Sequence, residues 1–157
     1  MRLSAKGRYA VMAMVDLASH KSARPICLAD IAERQKISLS YLEQLFGKLR
    51  RNGLVKSVRG PGGGYLLSQG ADKTRVSDVI LAVDEPIKAT RCRPGAPFGC
   101  HLGVGRCQTH DLWDELGNQI YLYLSSVTLA DVCERRVLGT SGEWHRRRHT
   151  APLAVAE

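Results

Sequence analysis

The sequence predicts a mainly α-helical chain that carries one short β-hairpin and ends in a long, unusually apolar helix. Three observations carry that expectation. Leu42, Leu45, Phe46 and Leu49 fall at i, i+3, i+4 and i+7, the period of a helix with one buried face. Residues 54–68, LVKSVRGPGGGYLLS, place two short apolar runs on either side of Gly60-Pro61-Gly62-Gly63, a tip with the backbone freedom a hairpin needs. Residues 109–127, THDLWDELGNQIYLYLSSV, repeat apolar residues at Leu112, Leu116 and Ile120 and add Trp113, Tyr121 and Tyr123 on further faces. With 157 residues, 44% hydrophobic and 24% charged, the chain suits a globular protein with one small core.

Each element has its own local reason. SAKGRYAVMAMVDLAS (4–19) reads as a helix, with Tyr9, Met12, Val15 or Asp16, and Ala18 at helical spacing. Pro25 then breaks the chain. CLADIAERQ (27–35) is a short second helix with Leu28, Ile31 and Ala32 on one face, and KIS (36–38) is a tight polar connection. The third helix spans 38–53. Ser40 and Glu43 have the spacing of a capping box, with Ser38 as the competing cap. Gly53, after Arg50, Arg51 and Asn52, stops it with cations at the negative end of the helix dipole. Strands over 54–58 and 64–67 follow, then a fourth helix over 75–85 stopped by Pro86. After the long helix, Thr128 caps a short one over 128–136. Residues 139–157 have no period and are expected to form a disordered tail.

Helix, helix, tight turn, helix, basic hairpin is the order of a winged helix-turn-helix, so the fold class is a mainly α winged helix-turn-helix with a two-stranded wing and a long C-terminal dimerisation helix. That helix carries more apolar surface than one chain of this size can cover, which predicts a homodimer. The expected organisation is a DNA-binding domain over 1–85, a ligand loop over 86–110, the dimerisation and last short helices over 111–138, and the tail over 139–157.

Charge placement points to double-stranded DNA as the partner. Residues 1–60 hold 12 Lys and Arg against 4 Asp and Glu, while residues 61–157 balance at 11 against 11. The whole excess of +8 therefore sits on the helix-turn-helix and wing, the electrostatic footprint of nucleic-acid binding. In the third helix, the face opposite the apolar stripe carries Ser40, Gln44, Gly47, Lys48 and Arg51. Those groups suit base edges and phosphates, and Gly47 permits close approach. Glu43 either caps the helix or accepts from a cytosine amino group, and Arg59 stands before the glycine tip, placed for a minor groove.

Other classes find little support. The glycine tip is followed by a strand, with no Lys-Ser/Thr, so it is no phosphate cradle. No hydrolytic triad, paired carboxylates or C-x2-C redox pair is present, so no enzyme is expected. No stretch spans a bilayer and the N-terminus is no signal peptide, which leaves the cytoplasm and no membrane partner. Five cysteines, an odd number in a reducing compartment, argue against a disulfide framework, and Cys27 and Cys133 are expected as small buried hydrophobes.

The remaining three cysteines share one glycine-rich loop. The spacing is Cys92-x7-Cys100-x6-Cys107-x2-His110, with His101 inside it. Four soft or borderline donors on a pliable loop suit a metal centre. Only Cys107-x2-His110 resembles a zinc knuckle, and wide, uneven spacing suits a larger object such as an iron–sulfur cluster; spacing alone leaves both open.

Several stretches together resemble a known family. MRLSAKGRYAVMAMVDLA, ISLSYLEQLFGKLRRNGLVKSVRGPGGGYLL, DVILAVDE, ATRC and CQTH are similar to the IscR-type repressors over about residues 1–138. The resemblance implies a dimeric winged-helix repressor of iron–sulfur assembly genes that senses cluster status through a [2Fe–2S] cluster. It implies cluster ligands at Cys92, Cys100, Cys107 and His110, and a cluster-assembly scaffold as cluster donor. It also implies DNA contacts at Ser38, Ser40, Glu43, Gln44 and Arg59. Both intervals between the cysteines are longer than is usual in the family. A zinc-binding winged-helix regulator, or a nitric-oxide or iron-responsive branch of the same superfamily, is the alternative; those branches lack this histidine pattern.

Overall fold

The computed structural model describes residues 4–20, 24–89 and 106–137. Helix α1 (Ala5–Ser19) starts at Ser4, whose hydroxyl accepts from the Lys6 amide at 3.2 Å. It lies at the centre of the core and buries Ala10, Ala13, Met14 and Leu17. This corrects the stripe expected from Tyr9, Met12, Val15 and Ala18: Met12 is exposed and the other three are half-buried. The helix is apolar around most of its girth, so period alone offers two adjacent stripes. The side that carries Ala10, Ala13, Met14 and Leu17 is the one that packs inward.

Helix α2 (Leu28–Gln35) sends Leu28 and Ile31 into the core. It ends at Lys36, whose left-handed backbone (φ 55°) turns the chain sharply into the next helix. Cys27, expected to be buried, is exposed: it is the N-cap of α2, one residue before the helix turns Leu28 into the core. Helix α3 (Leu39–Arg51) buries Leu42, Leu45, Phe46 and Leu49, the stripe read from the sequence. Its N-cap is Ser38, with no side-chain cap bond, so the expected Ser40–Glu43 capping box does not form. The helix begins two residues earlier, which leaves Ser40 inside the first turn with no cap to make.

Strands β1 (Val55–Val58) and β2 (Gly64–Leu67) pair antiparallel, with Val55 opposite Leu67 and Val58 opposite Gly64. The tip uses positive φ at Gly60 (106°) and Gly62 (72°). Ile26 adds a short bridge to Tyr65, exchanging two backbone bonds of 2.8 and 3.0 Å. Gly64 is required there, since a Cβ would collide with the Ile26 carbonyl. The Tyr65 ring meets Phe46 edge-on at 4.9 Å, tying the hairpin to α3.

Helix α4 (Val76–Ala82) packs on α1 and is shorter than the expected 75–85. Asp84 takes a left-handed backbone (φ 57°) and ends the helical path before Pro86. Helix α5 (His110–Ser126) buries only Gly117. The chain then returns to the core. Val127 and Thr74 carbonyls accept from Val76 and Leu129 amides at 2.9 Å, and Leu129 opens helix α6 (Leu129–Cys133) fully buried in the same core as α1. Thr128 and Asp131 form a capping box, so the expected Thr128 cap is present. Half-buried Cys133 lies 3.4 Å from the Ser19 hydroxyl. The tail expected over 139–157 lies outside the described residues.

Candidate functional site

The tight turn at Lys36 sets α3 across α2, and the buried stripe fixes which side of α3 faces out. On that side Ser38, Ser40, Glu43, Gln44 and Arg51 are exposed, and Gly47 and Lys48 are half-buried. Among the described residues, a Cβ at Gly47 would meet nothing within 4 Å. Arg59 is exposed just before the wing tip, and Lys56 is exposed on β1. The expected DNA-contact residues are thus brought onto one helix face and one hairpin.

Two polar contacts on this surface were not legible in the sequence. The Lys48 ammonium, at one flank of the α3 face, donates to the Asp84 carboxylate at 2.7 Å. That hydrogen bond and the charge of Lys48 hold the Asp84 carboxyl below the usual carboxylate range. Arg50 reaches the Ser57 hydroxyl at 3.4 Å and braces helix against wing. A third network lies deeper. Asp16, buried on α1, accepts from Arg34 through both carboxylate oxygens (2.6–3.2 Å) and from Gln35 at 2.6 Å. Burial alone would raise the Asp16 carboxyl, but these bonds and the Arg34 and His20 charges outweigh it and hold it low. The available signal was a lone Asp inside an apolar helix, which demands a partner.

Of the four expected ligands, Cys107 and His110 are among the described residues; Cys92 and Cys100 lie outside them, as does His101. Cys107 and His110 sit on the turn that opens α5, where the His110 amide donates to the Cys107 carbonyl at 3.0 Å. Both side chains are half-buried, and the thiol lies 3.7 Å from the Thr109 hydroxyl. A thiol and an imidazole three residues apart on one turn fit the donor chemistry of a zinc or iron–sulfur centre. Among the described residues, which hold two of the four expected donors, no three His, Cys, Asp or Glu side chains converge. Beyond His110, α5 exposes Leu112 (63%), Trp113, Leu116, Tyr121, Leu122 (58%) and Tyr123. No helix among the described residues is long and apolar enough to cross a membrane.

A helix-turn-helix with an exposed polar third helix, a basic wing and a protruding apolar arm defines a winged-helix regulator of transcription, and known proteins agree. The sequence profile of Rrf2, described as an iron-dependent transcriptional regulator, matches residues 3–135. The chain is 54% identical to the HTH-type transcriptional regulator IscR of Photorhabdus laumondii, over 100% of this chain and 94% of the relative. It is also 54% identical to the IscR of Salmonella paratyphi B, over 98% and 92%. Among solved structures, T. potens IscR superposes with a TM-score of 0.70 at 38% identity, covering 87% of this chain and 88% of that one. CymR, the global cysteine regulator of B. subtilis, superposes at 0.71 with 32% identity, covering 86% and 98%. The chain belongs to the Rrf2 family of transcriptional regulators. The resemblance to the IscR-type members read from the sequence holds, and these relatives are DNA-binding regulators, not enzymes.

Proposed function

We propose that this regulator represses iron–sulfur assembly genes in the cytoplasm as a homodimer, and that a [2Fe–2S] cluster held by Cys92, Cys100, Cys107 and His110 is its signal. The observation that carries the reading is the position of Cys107 and His110 at the root of α5, the helix with an uncovered apolar face. A ligand change at that root acts directly on the element expected to join two copies. When bound, the cluster supplies a redox- and iron-responsive occupancy. The chain supplies a thiol and an imidazole on the turn that opens α5, and two more thiols earlier in the sequence. A cluster-assembly scaffold is the proposed donor. Ser38, Ser40, Glu43 and Gln44 meet base edges in this reading, Lys48 and Arg51 meet phosphates, and Arg59 enters the minor groove.

The test is the visible absorption of anaerobically purified protein, with iron, sulfide and zinc counted. Colour with equal iron and sulfide supports the reading; a colourless protein with one zinc per chain overturns it in favour of a zinc-binding regulator. Cys92→Ala, Cys100→Ala and Cys107→Ala should each bleach the protein while leaving it able to bind DNA. His110→Cys should keep a cluster with a changed spectrum, because thiolate replaces neutral imidazole.

A further inference from the structure

Asp84 is held in an unusual way. Its carboxylate is 73% exposed, so charge, not burial, fixes it. Lys48 of α3 donates to it at 2.7 Å, and the charges of Lys6 and Arg51 also bear on it. The Lys6 ammonium in addition donates to the Asp84 carbonyl at 3.0 Å. The backbone presenting this carboxylate is fastened on both sides. Asn52 of the α3 end donates to the Ala82 carbonyl at 3.1 Å. The Ser4 amide and hydroxyl donate to Glu85 at 3.1 and 2.7 Å. A single carboxylate is therefore set among three cations at the edge of the helix face read as DNA-facing. Carboxylate and phosphate are alternative acceptors for the same ammonium.

We propose that Asp84 is an internal competitor for DNA phosphate: it occupies Lys48 in the free protein, and DNA must displace it, which sets the affinity below what the basic face alone would give. The proposal rests on the reading of α3 as the DNA-facing helix with Lys48 as a phosphate contact. An exposed ion pair of this kind shifts an equilibrium by a factor of about two to five, which a phosphate can overcome and an experiment can measure.

The test measures binding of the full chain to a mixed-sequence DNA duplex long enough to span two half-sites, across a series of salt concentrations. Asp84→Asn is the main variant, since Asn accepts the left-handed backbone, and Asp84→Gly repeats it. Thermal unfolding checks that each is folded. Both should bind about two to five times more tightly at low salt, with the slope of log affinity against log salt steeper by up to about 0.9. In a Lys48→Gln background, Asp84→Asn should give a clearly smaller gain, because only the weaker influence of Asp84 on Lys6 and Arg51 is left. No gain in affinity, or an equal gain in the Lys48→Gln background, overturns the proposal; the second result would mean that only the net charge mattered. If Lys48→Gln alone weakens binding while Asp84→Asn is neutral, competition fails and the phosphate contact stands. If Lys48→Gln leaves binding unchanged, the phosphate contact falls and the proposal with it.

Discussion

Asp16 is a carboxylate sunk into the buried side of α1, and it stays charged because Arg34 and Gln35 grip both of its oxygens. Arg34→Ala should destabilise the protein by about 3 kcal/mol in chemical denaturation, the lower end for a broken buried pair because Arg34 itself reaches water. The lowered Asp16 pKa also fixes a pH dependence. A carboxyl whose folded value lies below its ordinary 3.8 contributes stability that is complete above that value and is lost as pH falls through the folded value. Arg34→Ala should therefore flatten the acid limb of a stability–pH curve below about pH 4, and an unchanged limb would assign that loss to other carboxylates. On the DNA side, Gln44→Ala should relax preference at one base per half-site by about 1–3 kcal/mol, whereas Arg51→Ala should weaken matched and scrambled duplexes alike. At this scale the sequence offered residue types without partners. The exposure of Gln44 and Arg51 was legible because a helix period places them. The Asp16–Arg34 and Lys48–Asp84 pairs join separate elements, which no period encodes.

Helices α3 and α6 show why some elements could be read closely. The α3 stripe alternates four apolar residues with polar ones, so only one face can be buried. Thr128 was a start signal that the structure bears out, though the helix ends at Cys133 and not at 136. Helix α1 lacked that contrast, and its buried side was misplaced. The Ile26 bridge to the hairpin was invisible, because a single residue has no pattern. Its consequence is local and testable: Gly64→Ala forces a Cβ onto the Ile26 carbonyl and should loosen the wing, read as faster amide exchange at Tyr65 and Ile26 with α3 protection kept. Thr128→Ala removes the cap of α6 and should cost about 1 kcal/mol.

Across the whole molecule, the exposed apolar face of α5 is the surface on which the proposed homodimer can be tested. Light scattering should report a dimer, and the pair Leu112→Glu with Leu116→Glu should give a folded monomer, since both side chains are exposed and contribute little to the core. A two-fold dimer would set two α3 helices about 34–36 Å apart, one turn of DNA. A wild-type monomer with no DNA-induced dimer would sink that arrangement. The exposed apolar face of α5 was legible from apolar excess alone; the path of the chain after α5 was not, since it depends on Leu129 finding a place beside α1. That return has a consequence for biosynthesis. Val15 and Cys133, which meet through the Val15 carbonyl, are 118 residues apart. At about 5–20 residues per second, α1 leaves the ribosome several seconds before α6 exists to seal its flank. The core around α1 is therefore completed only after α5 has been made, and nascent chains cut short before Leu129 should be preferred prey for proteases.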